Sequence, residues 1–231
     1  MKTITLCFFL LTCFFATLSA QDFKKDMEAT QAFYQKLDSY HGLVKTKAFK
    51  DATSQKVSSV KQVRIKKKGK LFRYEMDEVM TLVTKKYMIT KDAKGKVLVC
   101  NQLSKEQKRA NLVVPDIDLV LSSFKEVVYK GIVDGKKVYL GKSEDGVVET
   151  TEIHLDLSSG RFSKLIYYYH PRSNTGIGRA EITFEDVDLN PKFAASLFSE
   201  KTFVVIKGNK AKLKKAFAAY TLILSGGLME F

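Results

Sequence analysis

Residues 66–76 read KKKGKLFRYEM, and the period of that stretch decides the fold. Behind three lysines and a glycine, Phe72, Tyr74 and Met76 fall on one face of an extended strand, while Leu71, Arg73 and Glu75 fall on the other. Strict alternation marks a half-buried β-strand, with Gly69 and its lysines as the turn that enters it. A triple lysine taken alone suggests a nucleic-acid patch. The period-two pattern that follows it, and the first twenty residues of the chain, argue against that.

The chain opens MKTITLCFFLLTCFFATLSA, one lysine ahead of an apolar run that ends in small residues. This is the pattern of a secretory signal, residues 1–20, cleaved between Ala20 and Gln21. The apolar run is short for a membrane span, which needs roughly 20 apolar residues. Two alternatives stay open: an uncleaved anchor, and a lipoprotein signal with Cys13 as the lipidated residue. Export to the periplasm is the expectation. Cys7 and Cys13 belong to the signal, so Cys100 is left as an unpaired thiol and the fold must rely on its apolar core. The formal net charge is +14, nearly all of it in residues 21–231. For an exported chain such a charge points to anionic headgroups, acidic polymers or an acidic protein face, and not to nucleic acid.

From Asp22 to Tyr40 the apolar residues Phe23, Met27, Phe33, Tyr34, Leu37 and Tyr40 fall near helical spacing, which predicts an amphipathic helix covering a core. Phe23, Met27, Phe33 and Leu37 are expected to be buried. Strand patterns follow over 43–50, 59–66, 71–76, 79–90 and 97–101, and again over 127–133, 137–140, 147–157, 162–169 and 179–189. Lys94-Gly95, Asp134-Gly135 and Ser158-Ser159-Gly160 sit between strands as turns would. Residues 116–124, just past Pro115, read as a short helix with Asp116 near its start. With three prolines and no linker composition, residues 21–231 are expected to form one domain. About ten strands in consecutive hairpins give a mainly β (α+β) fold: one antiparallel sheet curled by its own twist, with helices on one face.

Catalytic and metal motifs are absent from the sequence. His41, His154 and His170 lie far apart without ligand spacing, and there is no nucleophile elbow, phosphate loop or zinc-binding helix motif. His154, alternating with acids in Glu-Ile-His-Leu-Asp, reads as a solvent-facing strand residue. No catalytic residue, metal ligand or cofactor is assigned, although acid–base groups converging from distant strands stay open.

KKKGKLFRYEM resembles the signature of the LolA-like periplasmic lipoprotein carriers: basic residues, a turn, then Phe–Arg–aromatic–acid. Lys67, Lys68, Gly69, Phe72, Arg73, Tyr74 and Glu75 occupy that pattern, with Lys68-Gly69 where the family more often has arginine and proline, and Tyr74 where it has tryptophan. KDAKGKVLVCN at 91–101 resembles the family's Asp–Gly–Lys hairpin, and AEITFEDVDLNPKFAASLF at 180–198 its closing strand. The resemblance covers about residues 22–198 and leaves the tail, 199–231, without a counterpart.

The resemblance implies an incomplete β-barrel with helices as a lid over an apolar cavity. Phe72, Tyr74 and Met76, together with Phe23, Met27, Phe33, Leu37, Ile182 and Phe184, would line that cavity. Lys66, Lys67, Lys68 and Arg73 would lie at its rim in water, facing a partner or lipid headgroups. The ligand would be an acylated lipoprotein or lipid. The partners would be inner- and outer-membrane transfer proteins, and the chain would act as a monomer that is not an enzyme. Alternation alone predicts burial and not a cavity, so two other readings stand beside the carrier: an interaction or structural protein on the same fold with a filled core, and a hydrolase with dispersed residues.

Overall fold

The order of elements follows the periodicity. The computed structural model describes residues 22–104, 117–143 and 146–230. The signal, Cys13 and Asp116 lie outside the described residues. Helix α1 spans 22–36. Strands β1 (Ser39–Phe49), β2 (Val57–Lys68), β3 (Leu71–Met76), β4 (Val79–Val83), β5 (Tyr87–Asp92) and β6 (Val97–Gln102) follow. Helix α2 (Ile117–Ser122) precedes β7 (Glu126–Val133), β8 (Lys136–Lys142), β9 (Val148–Asp156), β10 (Phe162–Tyr169) and β11 (Arg179–Asp188). The tail adds β12 (Val204–Lys207), β13 (Lys210–Leu213), β14 (Thr221–Ser225) and β15 (Met229–Glu230), with two 3-10 turns ahead of β12 and one between β13 and β14.

The fold is mainly β. Twelve strands share one sheet in the order β14-β6-β5-β4-β3-β2-β1-β11-β10-β9-β8-β7, which is open because its two end strands are not neighbours. β12, β13 and β15 form a second, three-stranded sheet. Two features depart from the sequence expectation. The stretch 79–90 is two strands, because Thr84 Oγ1 accepts from the Tyr87 amide at 3.0 Å and turns the chain there. The tail is ordered into strands of its own, and β14 joins the edge of the large sheet in parallel with β6, Leu224 opposite Cys100.

Turn chemistry sets the hairpins. Asp134 and Gly135 both carry positive φ, 49° and 70°, the pair of values a two-residue type I′ turn requires between β7 and β8. Between β5 and β6 the Asp92 carboxylate accepts from the amides of Lys94 and Gly95, each at 2.9 Å.

By contact density the chain divides into two units. The first holds the described parts of 1–36, 45–60 and 113–184. In it α1 buries Phe23, Met27, Thr30 and Tyr34, one side of a helix at 3.6 residues per turn. Phe23 and Met27 pack with Tyr139, Ile153 and Leu155 of β8 and β9, and with Phe124, Phe162 and Leu165. The helix stops at residue 36, four residues short of the expected end. Leu37 is therefore outside the helix and only half-buried, as is Phe33. Asp26 fixes the helix to β8: its carboxylate accepts from Lys137 Nζ at 2.7 Å and from the Tyr139 hydroxyl at 2.6 Å. Burial, with that hydrogen bond second, pushes the Tyr139 phenol well above its usual range.

The second unit holds 37–44, the described parts of 61–112, and 185–230. Its core is Met80, Leu82, Ile89, Leu98 and Cys100 from the strands, closed by Phe198, Phe203, Val204 and Leu228 from the C-terminal segment. Leu82, Ile89, Leu98 and Cys100 are wholly inaccessible to solvent. Full burial, and Glu200 to a smaller degree, push the Cys100 thiol up to about 11.

Candidate functional site

In the second unit the register gives the sheet two unlike faces. Arg73, Leu82, Ile89, Cys100 and Leu224 are aligned across β3, β4, β5, β6 and β14, and their face is the one sealed by the C-terminal segment. The opposite face carries a row of Ile65, Tyr74, Thr81, Thr90, Val99 and Ile223, aligned across β2, β3, β4, β5, β6 and β14. From β2 to β14 this row crosses inter-strand spacings of roughly 4.8 Å, about 24 Å in all. Every member is half-buried except Ile223, which is 48% exposed. Met88, Val79 and Val97 flank the row on the same face, also half-buried.

Polar groups within the row are muted. The Thr81 and Thr90 hydroxyls, 3.2 Å apart, bond to one another across the strands. Burial pushes the Tyr74 phenol up to about 12, so it is neutral throughout the ordinary pH range. Tyr74 stacks on Phe72, ring centroids 6.2 Å apart. Phe72 itself is buried and Met76 is exposed, so the three residues expected together on one face are there, at three depths.

The basic residues are placed differently from the expectation. Lys67 is not at a wet rim: it is 6% exposed, and its Nζ donates to the Leu37 carbonyl at 2.6 Å. Its side chain alternates onto the face of Phe72, which stands opposite it on β3. Desolvation lowers the Lys67 pKa, and the Asp38 carboxylate opposes that with a smaller effect. Lys66 and Arg73 are half-buried and clasp Glu75 at 3.0 Å and 2.7 Å, and Arg73 also reaches the Leu197 carbonyl. These two cations hold the Glu75 carboxyl below its usual range, although burial alone would raise it. Lys68 is exposed.

In the first unit, Phe23 and Met27 are core residues under α1, and Phe33 meets Tyr34 edge to face at 5.3 Å. Phe184 stacks on Phe162, which in turn stacks on Tyr34, and Ile182 is half-buried opposite Leu165. On that side the expected cavity residues are packed against one another. His154 does not face solvent freely: its Nε2 donates to Glu152 Oε1 at 2.5 Å, and its side chain is 14% exposed. A shallow cavity of about 650 Å³ beside α2 is lined by Ser122, Ser123, Phe124, Lys125, Ser143, Gly146, Val147 and Val148. Its serine-rich wall is unlike the apolar row. Among the described residues no cluster of three or more His, Cys, Asp or Glu could hold a metal. No described helix is long and apolar enough to cross a membrane.

The row on the second unit was hidden from sequence reading because its members lie on six different strands. The available signal was the alternation in each strand, and only the pairing registers join those signals into one surface.

No protein-family model matches the sequence, and no curated protein matches it either. Solved structures do. An uncharacterised conserved protein from Thermus thermophilus is similar to 77% of this chain over 92% of its own length, with a TM-score of 0.47 at 10% identity. A LolA superfamily protein from Nitrosomonas europaea is similar to 80% of the chain over 99% of its own, TM-score 0.36 at 10% identity. The Mycobacterium tuberculosis lipoprotein LppX is similar to 74% over 96%, TM-score 0.42 at 14% identity. The structural neighbours thus include LolA-like folds, and the likeness concerns the course of the backbone.

Proposed function

We propose that this chain is an exported, non-catalytic carrier that holds the acyl chains of lipoproteins or lipids and moves them through the periplasm towards the outer membrane. The observation that carries this is the apolar row Ile65–Tyr74–Thr81–Thr90–Val99–Ile223. Its sheet completes a core on one face, while on the other this row stays half-buried beside the buried Phe72, Val83 and Lys67. An extended acyl chain laid along such a row gains roughly 0.8 kcal/mol per CH₂ removed from water. A neutral Tyr74 and self-satisfied threonines leave the middle of the row uncharged; the charges on this face stand at its margins, Lys67 opposite Phe72 and Asp92 between Val79 and Val97. The KKKGKLFRYEM resemblance supports the same assignment independently of the packing.

Native mass spectrometry of the exported protein tests it. Co-purifying lipid or acylated protein, lost on Val99→Asp, is the expected outcome. A clean ligand-free mass in repeated preparations refutes the carrier. It would favour an interaction protein with a filled core, for which the packed Phe23–Met27–Tyr139–Ile153 cluster is the supporting observation.

A further inference from the structure

We propose that the small C-terminal sheet is a docking surface for an anionic lipid bilayer. This is independent of the acyl-chain assignment and uses a segment that the carrier resemblance does not cover. The sheet of β12, β13 and β15 has two faces fixed by register. Val204 stands opposite Leu213, and Ile206 opposite Ala211; these four belong to or pack on the core of the second unit. Val205 stands opposite Lys212, and Lys207 opposite Lys210, so these residues face the other way. Lys214, next in the alternation, is exposed like Lys207, Lys210 and Lys212. Met229 pairs with Lys210 and lies among them at 51% exposure.

Two lysines directly opposite across a hairpin repel one another. Here they sit at the Gly208-Asn209 turn, and among the described residues neither Lys207 nor Lys210 has a carboxylate partner. An external anion would relieve that repulsion. The chemistry of the patch selects the kind of anion. Segment 199–231 holds six lysines and two glutamates and has no arginine. Recognition of individual carboxylates on a protein favours the planar, bidentate guanidinium, whereas lysines act as mobile point charges. Mobile point charges around an exposed methionine suit a diffuse headgroup layer with an apolar interior beneath it.

Vesicle co-sedimentation of the signal-free protein tests this, with phosphatidylcholine vesicles against phosphatidylcholine containing phosphatidylglycerol. Binding to the anionic vesicles alone, weakening as salt rises, is expected. The triple variant Lys207→Gln/Lys210→Gln/Lys214→Gln should bind roughly a hundredfold more weakly, at about fivefold for each lysine. The exposed triple Lys56→Gln/Lys85→Gln/Lys130→Gln, with the same change in net charge, should lose far less. Unchanged Cys100 protection in both variants shows that the fold survives. Equal weakening by the two triples would make net charge the cause and overturn the patch. So would equal binding to neutral and anionic vesicles. Retention on polyglutamate with no vesicle binding would assign the surface to an acidic protein instead.

Discussion

Phe203→Ala measures how far the C-terminal segment is part of the second unit's core. Phe203 is 4% exposed, sits in the cluster with Leu82, Ile89, Leu98 and Cys100, and contacts the Phe217 ring at 5.3 Å. Truncating a buried phenylalanine to alanine costs about 3–5 kcal/mol, a large part of the ~5–15 kcal/mol that holds a typical domain together. Cys100 reports the loss locally, since it is wholly buried in the same cluster and is the one cysteine in 21–231. If labelling follows opening of that cluster, each ~1.4 kcal/mol accelerates it tenfold, so alkylation should speed up by about a hundred- to a thousandfold or more. Met229→Ala, on the outward face of the same segment, should leave the rate within about threefold. An acceleration below about tenfold in Phe203→Ala would make the tail a removable appendage and refute the packing described above.

Four further outcomes can be checked. Tyr74→Asp should abolish uptake of a fluorescent fatty acid and lower stability, because a carboxylate between Ile65 and Thr81 beside the Phe72 ring is partly stripped of water; titration with unchanged affinity would count against the row as the ligand surface. Gly226→Ala should detach the tail: φ there is +69°, and a Cβ would meet the Gln102 carbonyl at 2.5 Å. Its urea midpoint should fall, and an unchanged midpoint would contradict the close approach of β14 to the end of β6. Lys67→Met should cost about 1–3 kcal/mol, because the Leu37 carbonyl loses its donor, while Lys68→Gln should be nearly neutral; equal effects would return Lys67 to the wet rim. The Cys100 thiol, raised from 9.0 to about 11, favours the protonated form in the folded state. Its contribution is complete below about pH 9 and is lost as pH rises through 11, so urea midpoints should fall more steeply over that window in the native protein than in Cys100→Ala, where the raised phenols of Tyr74 and Tyr139 still lower stability above about pH 10.

Much of the fold was legible because alternation is a local property. The bounds 71–76 and 162–169 read from the sequence coincide with β3 and β10, and the Asp134-Gly135 turn follows from residue type alone. What escaped was non-local. A run of three lysines reads as wet, and the partner that buries the middle one, the Leu37 carbonyl, is thirty residues away. The α1 stripe continues in sequence to Leu37 and Tyr40, but Ser39 and Tyr40 already belong to β1, so the pattern overran the helix. In the tail a signal was present: Val204–Lys207 and Lys210–Leu213 flank a two-residue Gly-Asn loop, a hairpin pattern. The pairing of β14 in parallel with β6 has no local signature, because nothing in Thr221–Ser225 names its neighbour.

That pairing is what separates the two faces of the second unit. The strands β3 to β6 carry apolar residues on both faces: Leu82, Ile89 and Cys100 on one, Val79, Met88 and Val99 on the other. A strand apolar on both sides must be covered on both. The C-terminal segment covers one side, and burial differs: zero exposure at Leu82, Ile89, Leu98 and Cys100, against partial exposure along the row from Ile65 to Val99 and 48% at Ile223, with Phe72 and Val83 buried at the row's margin. By sealing one face of the sheet, the tail confines any large apolar ligand of this unit to the other. Variants of Phe203 should therefore alter stability, and variants of Val99 should alter binding. If both sets moved both quantities together, the division of labour between the faces would fail.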